Sequence, residues 1–320
     1  MKQLRLPPSA LNLAALAIVW ALVFAYFSAL APRFGTIDNV QTLARQATVV
    51  CLSAIGMTFV IITGGIDLSV ASIMAFVTVV IAKLLDVWPP GAALLAGVGA
   101  GALCGAVNGL LITRLKVAPF IVTLGTYLIV RGAAKGLASE QKVDAPITWL
   151  NSLVARLGAE QQWMIFPVGV WLLIVLAVAA AVTLKYTRFG RYVVAVGANE
   201  TATRLSGVAV DKVKTAVYTL NGLFAGLAGL MLFSRLSVGD PTVAIGQELD
   251  VIAAVVIGGA SLSGCEGSIF GSMIGALIMA TLRAGGSQLG WPNWRQEMIT
   301  GAIIVLSVAL DRYRARKRIG

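Results

Sequence analysis

Histidine is missing from this 320-residue sequence, and charged side chains make up only 12% of it. Without histidine the chain lacks the usual general base and the commonest metal ligand. The three cysteines, Cys51, Cys104 and Cys265, lie in or beside apolar stretches and form no CxxC pair. Isolated cysteines in such surroundings favour small buried side chains over a metal or redox site. We therefore predict no metal site and no catalytic residue.

The sequence signatures of common enzymes are also missing. No GxxxxGK[ST] phosphate loop, no HExxH and no GxSxG occurs, so the chain is not predicted to hydrolyse ATP through a P-loop or to carry out covalent catalysis. We predict that the protein is not an enzyme and holds no cofactor of its own. A membrane-embedded enzyme is the least favoured class.

Apolar stretches recur from one end of the sequence to the other. The chain is 58% hydrophobic and has a mean hydropathy of +0.88, whereas a soluble domain would carry about 25% charged residues. This predicts an all-α polytopic membrane protein with one transmembrane domain, residues 1–320, whose 34 glycines allow close helix packing. The first span is expected to be retained rather than cleaved. Ten spans are predicted, some short or broken: Leu11–Ala31, Ala47–Thr63, Leu68–Ala82, Gly91–Thr113, Ala118–Val130, Trp163–Leu184, Thr215–Phe233, Val251–Leu262, Ser268–Leu282 and Met298–Leu310.

The distribution of charge predicts the orientation of these spans. Segments assigned to the inner side carry fifteen basic and five acidic residues, and the rest of the chain carries ten and nine. Because cytoplasmic segments are enriched in Lys and Arg, both termini are predicted to be cytoplasmic. The basic tail, residues 311–320, is then an anchor at the lipid surface rather than a nucleic-acid patch. We expect membrane lipids, and no nucleic acid, among the partners.

One polar interval, residues 185–214, is strongly biased to one sign, with six basic and two acidic side chains. Its charge predicts a cytoplasmic loop between two spans. Within it, Asn199 can cap a short helix over residues 200–206 that ends at Gly207. Such a helix is well placed to contact another protein. The other polar interval, residues 135–162, has balanced charge and is predicted to be an outer loop, either a partner surface or, preferably, a solvated loop.

Asp67 is the outlier among the apolar stretches. It follows Gly64 and Gly65, which break the preceding helix. Two interpretations have equal weight: a helix cap at a cytoplasmic turn, with Ser69 as the other capping candidate, and a carboxylate that lines a path for a polar solute. For other polar residues in the predicted spans, a hydrogen bond to a neighbouring helix is the favoured interpretation; these are Ser72, Asn108, Thr123, Thr126 and Asn221.

Four motifs then occur in order. They are Gly64–Ser72 (GGIDLSVAS), Ala118–Thr126 (APFIVTLGT), Gly190–Gly207 (GRYVVAVGANETATRLSG) and Glu248–Ser263 (ELDVIAAVVIGGASLS). From about the second span to the last, the chain resembles the permease subunit of ribose-type ABC sugar importers, a group that includes xylose, arabinose and galactose systems. The resemblance does not specify the sugar.

The resemblance implies a homodimeric or heterodimeric permease in a bacterial inner membrane. A second permease copy, a periplasmic sugar-binding protein and a cytoplasmic ATPase that holds ATP and Mg would be its partners. It also implies that the segment from Asn199 to Gly207 is the coupling helix that docks on the ATPase. The predicted coupling residues are Gly197, Asn199, Glu200, Thr203, Arg204, Leu205, Ser206 and Gly207.

The mechanism expected from the resemblance is alternating access, in which closure of the ATPase pushes on the coupling helices. The predicted substrate pathway contains Asp67, Ser69, Asn108, Thr123 and Thr126. The alternative is an ion-coupled secondary transporter of a small polar solute, with Asp67 as the coupling residue. Uptake by that transporter would collapse with an uncoupler while ATP remained.

Overall fold

A computed structural model describes the backbone of residues 8–319 and the side chains of residues 12–158 and 160–309. This part of the chain folds into helices, with one antiparallel pair of two-residue strands, β1 (Val143–Asp144) and β2 (Val238–Gly239). The helices are α1 (Pro8–Leu30), α2 (Ile37–Ile62), α3 (Val70–Leu85), α4 (Pro90–Leu115), α5 (Pro119–Leu137), α6 (Val168–Tyr186), α7 (Arg188–Ala198), α8 (Glu200–Leu205), α9 (Val210–Leu236), α10 (Gln247–Ile257), α11 (Ile269–Gln288) and α12 (Asn293–Ile319).

The helices confirm an all-α polytopic membrane protein. Seven of them are long and apolar enough to cross a bilayer, namely α1, α2, α4, α5, α6, α9 and α11. The ten predicted spans fall on these seven and on α3, α10 and α12. At 16 and 11 residues, α3 and α10 are shorter than the roughly 20 residues that a span needs. Ten crossings and the orientation therefore stay predictions.

Two expectations about helix boundaries are wrong. The predicted span Val251–Leu262 is a helix that begins earlier, at Gln247, and ends at Ile257, because the chain turns at Gly258 and Gly259. The interval 185–214 holds a second helix, α7, which the sequence interpretation treated as loop. The residues of the tail, 311–319, continue α12.

Helix α2 is the centre of the bundle. Its C-terminal half is buried on all sides, with no exposed residue from Ala47 to Ile62, and it packs against α9, α11, α10 and α6. A helix that is apolar all round is expected in such a position. The most extensive contact in the described chain joins α4 to α9.

Glycines allow this contact between α4 and α9. A Cβ atom on Gly105 would collide with the Tyr218 carbonyl oxygen and lie 2.9 Å from the Gly222 Cα. A Cβ atom on Gly101 would lie 2.7 Å from the Gly222 carbonyl oxygen. The two backbones therefore touch directly, as small residues permit in membrane helices.

The bundle has two distinct ends. At the C-terminal end of α2, the Cys265 amide donates to the Ile62 carbonyl at 2.9 Å, and Gly197 of α7 lies against both groups. At the other end, Arg45 of α2 donates to the Val154 carbonyl. The interval 135–162 forms a cap here through β1 and two 3₁₀ helices, Trp149–Ser152 and Ala159–Met164, with Leu150 and Val154 fully buried. It is thus a folded element rather than a simple solvated loop.

The contact between α4 and α9 yields the first prediction. Gly105→Ala should lower stability by about 1–3 kcal/mol because its methyl group overpacks a backbone contact. Gly99→Ala on the same helix is the matched control, since nothing lies within 4 Å of a Cβ atom there. Thermal unfolding of the two purified variants in detergent measures the difference. Equal melting temperatures would refute the direct backbone contact.

Candidate functional site

Asp67 lies inside the bundle, on the segment between α2 and α3. Its side chain is fully buried, whereas one of the two sequence interpretations placed the residue at a cytoplasmic turn. Gly64 has φ +77°, which suits glycine and ends α2 sharply. Gly65 then passes directly beside the Tyr218 hydroxyl, where a Cβ atom would collide. These two glycines let the chain turn back into the bundle and carry Asp67 with it.

The Asp67 carboxylate is held by hydrogen bonds from two elements. One oxygen accepts from the Ser69 amide at 2.9 Å and from the Ser69 hydroxyl at 2.6 Å. The other oxygen accepts from Asn221 Nδ2 of α9 at 2.9 Å. Asn108 Nδ2 of α4 donates to the Ser69 hydroxyl at 2.8 Å. This cluster therefore joins α4, α9 and the start of α3 through one buried carboxylate.

The cluster contains three of the five predicted pathway residues, Asp67, Ser69 and Asn108. The Thr123 hydroxyl of α5 lies 3.2 Å from the Ile66 carbonyl, next to the cluster, and the Thr126 hydroxyl bonds to the Thr123 carbonyl. All five residues are buried within the single chain. Their role in a substrate pathway stays a prediction.

The capping interpretation of Asp67 holds in part. Ser69 occupies the N-cap position of α3 but makes no capping hydrogen bond with its side chain. Asp67 accepts from the Ser69 amide instead. Asn221 and Tyr218 complete the surroundings of the carboxylate; the sequence favoured a hydrogen bond from Asn221 to a neighbouring helix without naming the partner, and did not indicate Tyr218. Both lie more than 150 positions from Asp67 along the chain, so only the fold brings them to it.

At the C-terminal end of α2, the predicted short helix is present as α8. The Asn199 side chain accepts from the Ala202 amide at 2.9 Å and begins the helix. Its end is a Schellman turn, in which the Val208 amide bonds to the Thr203 carbonyl and the Gly207 amide to the Arg204 carbonyl. Gly207 has φ +84°, as this turn requires. The helix is thus defined at both ends by its own sequence.

Charged side chains hold α8 against α9. Arg204 lies 3.3 Å from Glu200 and 2.8 Å from Asp211, and Lys214 also pairs with Glu200. Burial raises the pKa of Glu200, but the hydrogen bond and charge of Lys214, followed by those of Arg204, outweigh it and keep that pKa below its ordinary value. Arg204 therefore forms its ion pairs with acidic residues of the same chain.

The predicted coupling residues divide into a buried set and an exposed set. Thr203 is buried and its hydroxyl lies 2.8 Å from the Ala195 carbonyl of α7, while Gly197 packs on Ile62. Leu205, by contrast, is 84% exposed at the end of α8. A groove of about 510 Å³ runs beside it between α7 and α8, lined by Arg191, Tyr192, Ala195, Ala198, Asn199, Ala202, Thr203, Ser206 and Val208. An apolar side chain beside a groove is the form of a docking surface.

Comparison with known proteins gives consistent matches. The profile of a family described as "Branched-chain amino acid transport system / permease component" matches residues 39–308. The chain is 40% identical over 295 residues to the ribose import permease protein RbsC of Escherichia coli (strain K12), and the aligned region covers 92% of each protein. It is 38% identical over 309 residues to the L-arabinose ABC transporter permease protein AraH of Azospirillum brasilense, covering 96% of this chain and 90% of the relative. No solved structure matches.

The apolar helical bundle defines the chain as a multi-pass membrane protein. The profile covers most of its length, so the chain belongs to this family of permease components of transport systems.

The buried carboxylate yields the second prediction. Asp67→Leu should destabilise the protein by on the order of 3 kcal/mol, because it leaves the donors of Ser69 and Asn221 buried without an acceptor. Asp86→Asn, an exposed acid just after α3, is the control. Thermal unfolding in detergent compares the two variants. Comparable stability of both would mean that the cluster does not hold these helices together.

The ion pairs of α8 yield the third prediction. Glu200→Gln should loosen α8 and raise hydrogen exchange of residues 199–207 by about two- to fivefold, a small effect because the pairs are partly exposed. Glu140→Gln, exposed near the other end of the bundle, is the control. Because the pKa of Glu200 is lowered in the folded chain, its contribution is complete above its ordinary value of 4.5 and is lost as the pH falls below it. Exchange unchanged by Glu200→Gln would contradict this role.

Proposed function

We propose that this chain is the membrane-spanning subunit of an ATP-driven importer that moves a monosaccharide across a bacterial inner membrane by alternating access. The single observation that carries the proposal is α8, a preformed helix with an exposed leucine at one end of the bundle. The names of the relatives, which include ribose and L-arabinose permeases, support a monosaccharide as substrate. A second permease copy and a periplasmic sugar-binding protein complete the proposed assembly.

The position of basic residues supports a cytoplasmic location for α8. Lys116, which follows α4, acts electrostatically on Asp211 at the start of α9. Arg114 and Lys212 line one groove between the same two helices. These three basic residues, all of which the sequence assigned to the inner side, therefore lie near one another at the ends of α4 and α9. We propose ten crossings with both termini on this cytoplasmic side.

The contacts of α8 suggest how a push on it would reach the bundle. Glu200 and Arg204 tie α8 to α9, and α9 packs on α4, α2 and α3. A displacement of α8 by an ATPase, which would hold the ATP and Mg, therefore moves α9 with it. In this proposal Arg204, Glu200 and Thr203 position the helix, and Leu205 contacts the partner.

A second candidate function is ion-coupled secondary transport. The buried Asp67 carboxylate favours it, because such transporters use intramembrane acids. Its three donors, two from Ser69 and one from Asn221, instead suit a carboxylate held in one permanent structural position. We therefore rank this candidate second.

The fourth prediction tests α8. Leu205→Glu should lower co-purification of an ATPase subunit from native membranes about tenfold or more, since it places a charge where an apolar anchor docks. Ile147→Glu is the matched control, because Ile147 is 88% exposed and lies near the other end of the bundle. ATP-dependent sugar uptake in vesicles should fall in parallel and should survive an uncoupler. If the unaltered chain retains no ATPase and uptake stops with the uncoupler, the secondary-transport candidate replaces this proposal.

A further inference from the structure

A second group of polar side chains lies near the end of the bundle opposite α8. Arg131 of α5 is only 6% exposed. One of its terminal nitrogens, Nη1, donates to the carbonyls of Pro241 and Val243 at 2.9 and 2.8 Å. Its other nitrogens, Nε and Nη2, are buried and have no hydrogen-bond partner within the described part of the chain. Burying a guanidinium whose Nε and Nη2 have no acceptor costs free energy unless another group accepts their hydrogen bonds.

Acceptors without hydrogen-bond partners lie a few residues beyond the loop that Arg131 holds. The loop that Arg131 holds leads directly into α10, whose first residues are Gln247 and Glu248. One side-chain oxygen of each is buried and bonded to nothing in the described chain. Arg131 acts electrostatically on the Glu248 carboxylate, yet no ion pair within 4.0 Å joins the two among the described side chains. The opposite charges are therefore close enough to interact and too far apart to touch.

The donors and the acceptors belong to separate helices. Helix α5 packs on α3 and α4, whereas α10 packs on α11, α2 and α12, and α5 and α10 share little direct packing. Arg131 and Glu248 thus belong to helices that contact each other little. Gln247 and Glu248 are only half-buried, so this side of the group is partly exposed at the surface of the chain.

The unpaired atoms specify a chemical class of ligand. The group offers two donor nitrogens from Arg131 and two oxygen acceptors from Gln247 and Glu248. A sugar hydroxyl donates and accepts at once, so neighbouring hydroxyls of one monosaccharide can satisfy both kinds of atom. Charged residues within a membrane protein commonly line a solute path. A fully anionic or cationic solute would satisfy only one half of the group.

We propose that Arg131, Gln247 and Glu248 form a hydroxyl-binding site through which the sugar passes between the outer face and the centre of the bundle. This inference rests on the proposed function. It places the first polar contact of the transported sugar on α5 and α10 rather than on the Asp67 cluster. Because Arg131 also anchors the loop before α10, a sugar bound there contacts the element that leads from the outer end into the bundle.

Labelling of a single cysteine tests whether the sugar reaches this site. Cys51, Cys104 and Cys265 are first replaced by alanine, and Glu248→Cys is then introduced. A charged thiosulfonate reagent added from the outer side should label it in proteoliposomes that contain the ATPase and binding protein. A saturating mixture of D-ribose, L-arabinose, D-xylose and D-fructose should slow labelling about tenfold. Leu249→Cys, one position on and 48% exposed, should label at the same rate with or without sugar.

The fifth prediction separates binding from a structural role. Arg131→Lys keeps a donor for the loop carbonyls but removes Nε and Nη2, and Glu248→Gln removes the charge with little change of shape. Each should lower the ratio of sugar imported to ATP hydrolysed about tenfold, as expected for a lost hydrogen bond to a charged group. A purely structural defect would lower both quantities together and leave the ratio unchanged. Glu140→Gln, exposed near the same end, should leave the ratio unchanged.

The outcomes distinguish this inference from the proposed function. Import of none of the four sugars by the unaltered chain would overturn both. Import by the unaltered chain, with no protection of Glu248→Cys and an unaltered ratio in both variants, would overturn the hydroxyl-binding site alone. Protection together with a lowered ratio supports it.

Discussion

The structure depends on one requirement, that a carboxylate enclosed among membrane helices must find hydrogen-bond donors. Asp67 meets it by drawing Ser69, Asn221 and, through Ser69, Asn108 around itself. Among the described side chains no cation lies within 4.0 Å of this group, so it is held by hydrogen-bond donors without a salt bridge. The same contacts fix where α3 begins, while Gly64 ends α2. The positions of α4 and α9 relative to α3 follow from the donors that each must supply.

The two ends of the bundle are built on different physical principles. At the α8 end, capping and ion pairs fix a short helix in its position, and its exposed residues include one large apolar side chain, Leu205. At the other end, buried polar atoms of Arg131 and Glu248 have no partner in the described chain. At the first end, the hydrogen bonds and ion pairs of the helix are formed within the chain, which suits contact with a folded protein. The second is internally incomplete and suits a small polar solute.

Much of this arrangement follows from local sequence. The apolar stretches, the cap at Asn199 and the turn at Gly207 each depend on neighbouring residues, and the corresponding helices form as predicted. Helix α7 was missed because its buried side chains, such as Val193 and Val196, alternate with residues that resemble a basic loop. The hydrogen bond between Asp67 and Asn221 could not be predicted, because the residues near each of them in the sequence do not indicate which helices become neighbours. The pairing of α4 with α9 depends on direct contact between their backbones. The only sign of that contact in the sequence is the presence of glycines.

The completeness of α8 bears on the thermodynamics of association. A loop that becomes helical only on binding would lose conformational entropy at that moment, and the affinity would be lower by that amount. Here Asn199, Gly207 and the ion pairs of Arg204 have already restricted the segment during folding of the permease. A protein that docks on Leu205 therefore meets a rigid surface, and its association needs no slow ordering step. The entropy is lost once, when the permease folds, and is not lost again in each cycle of binding and release.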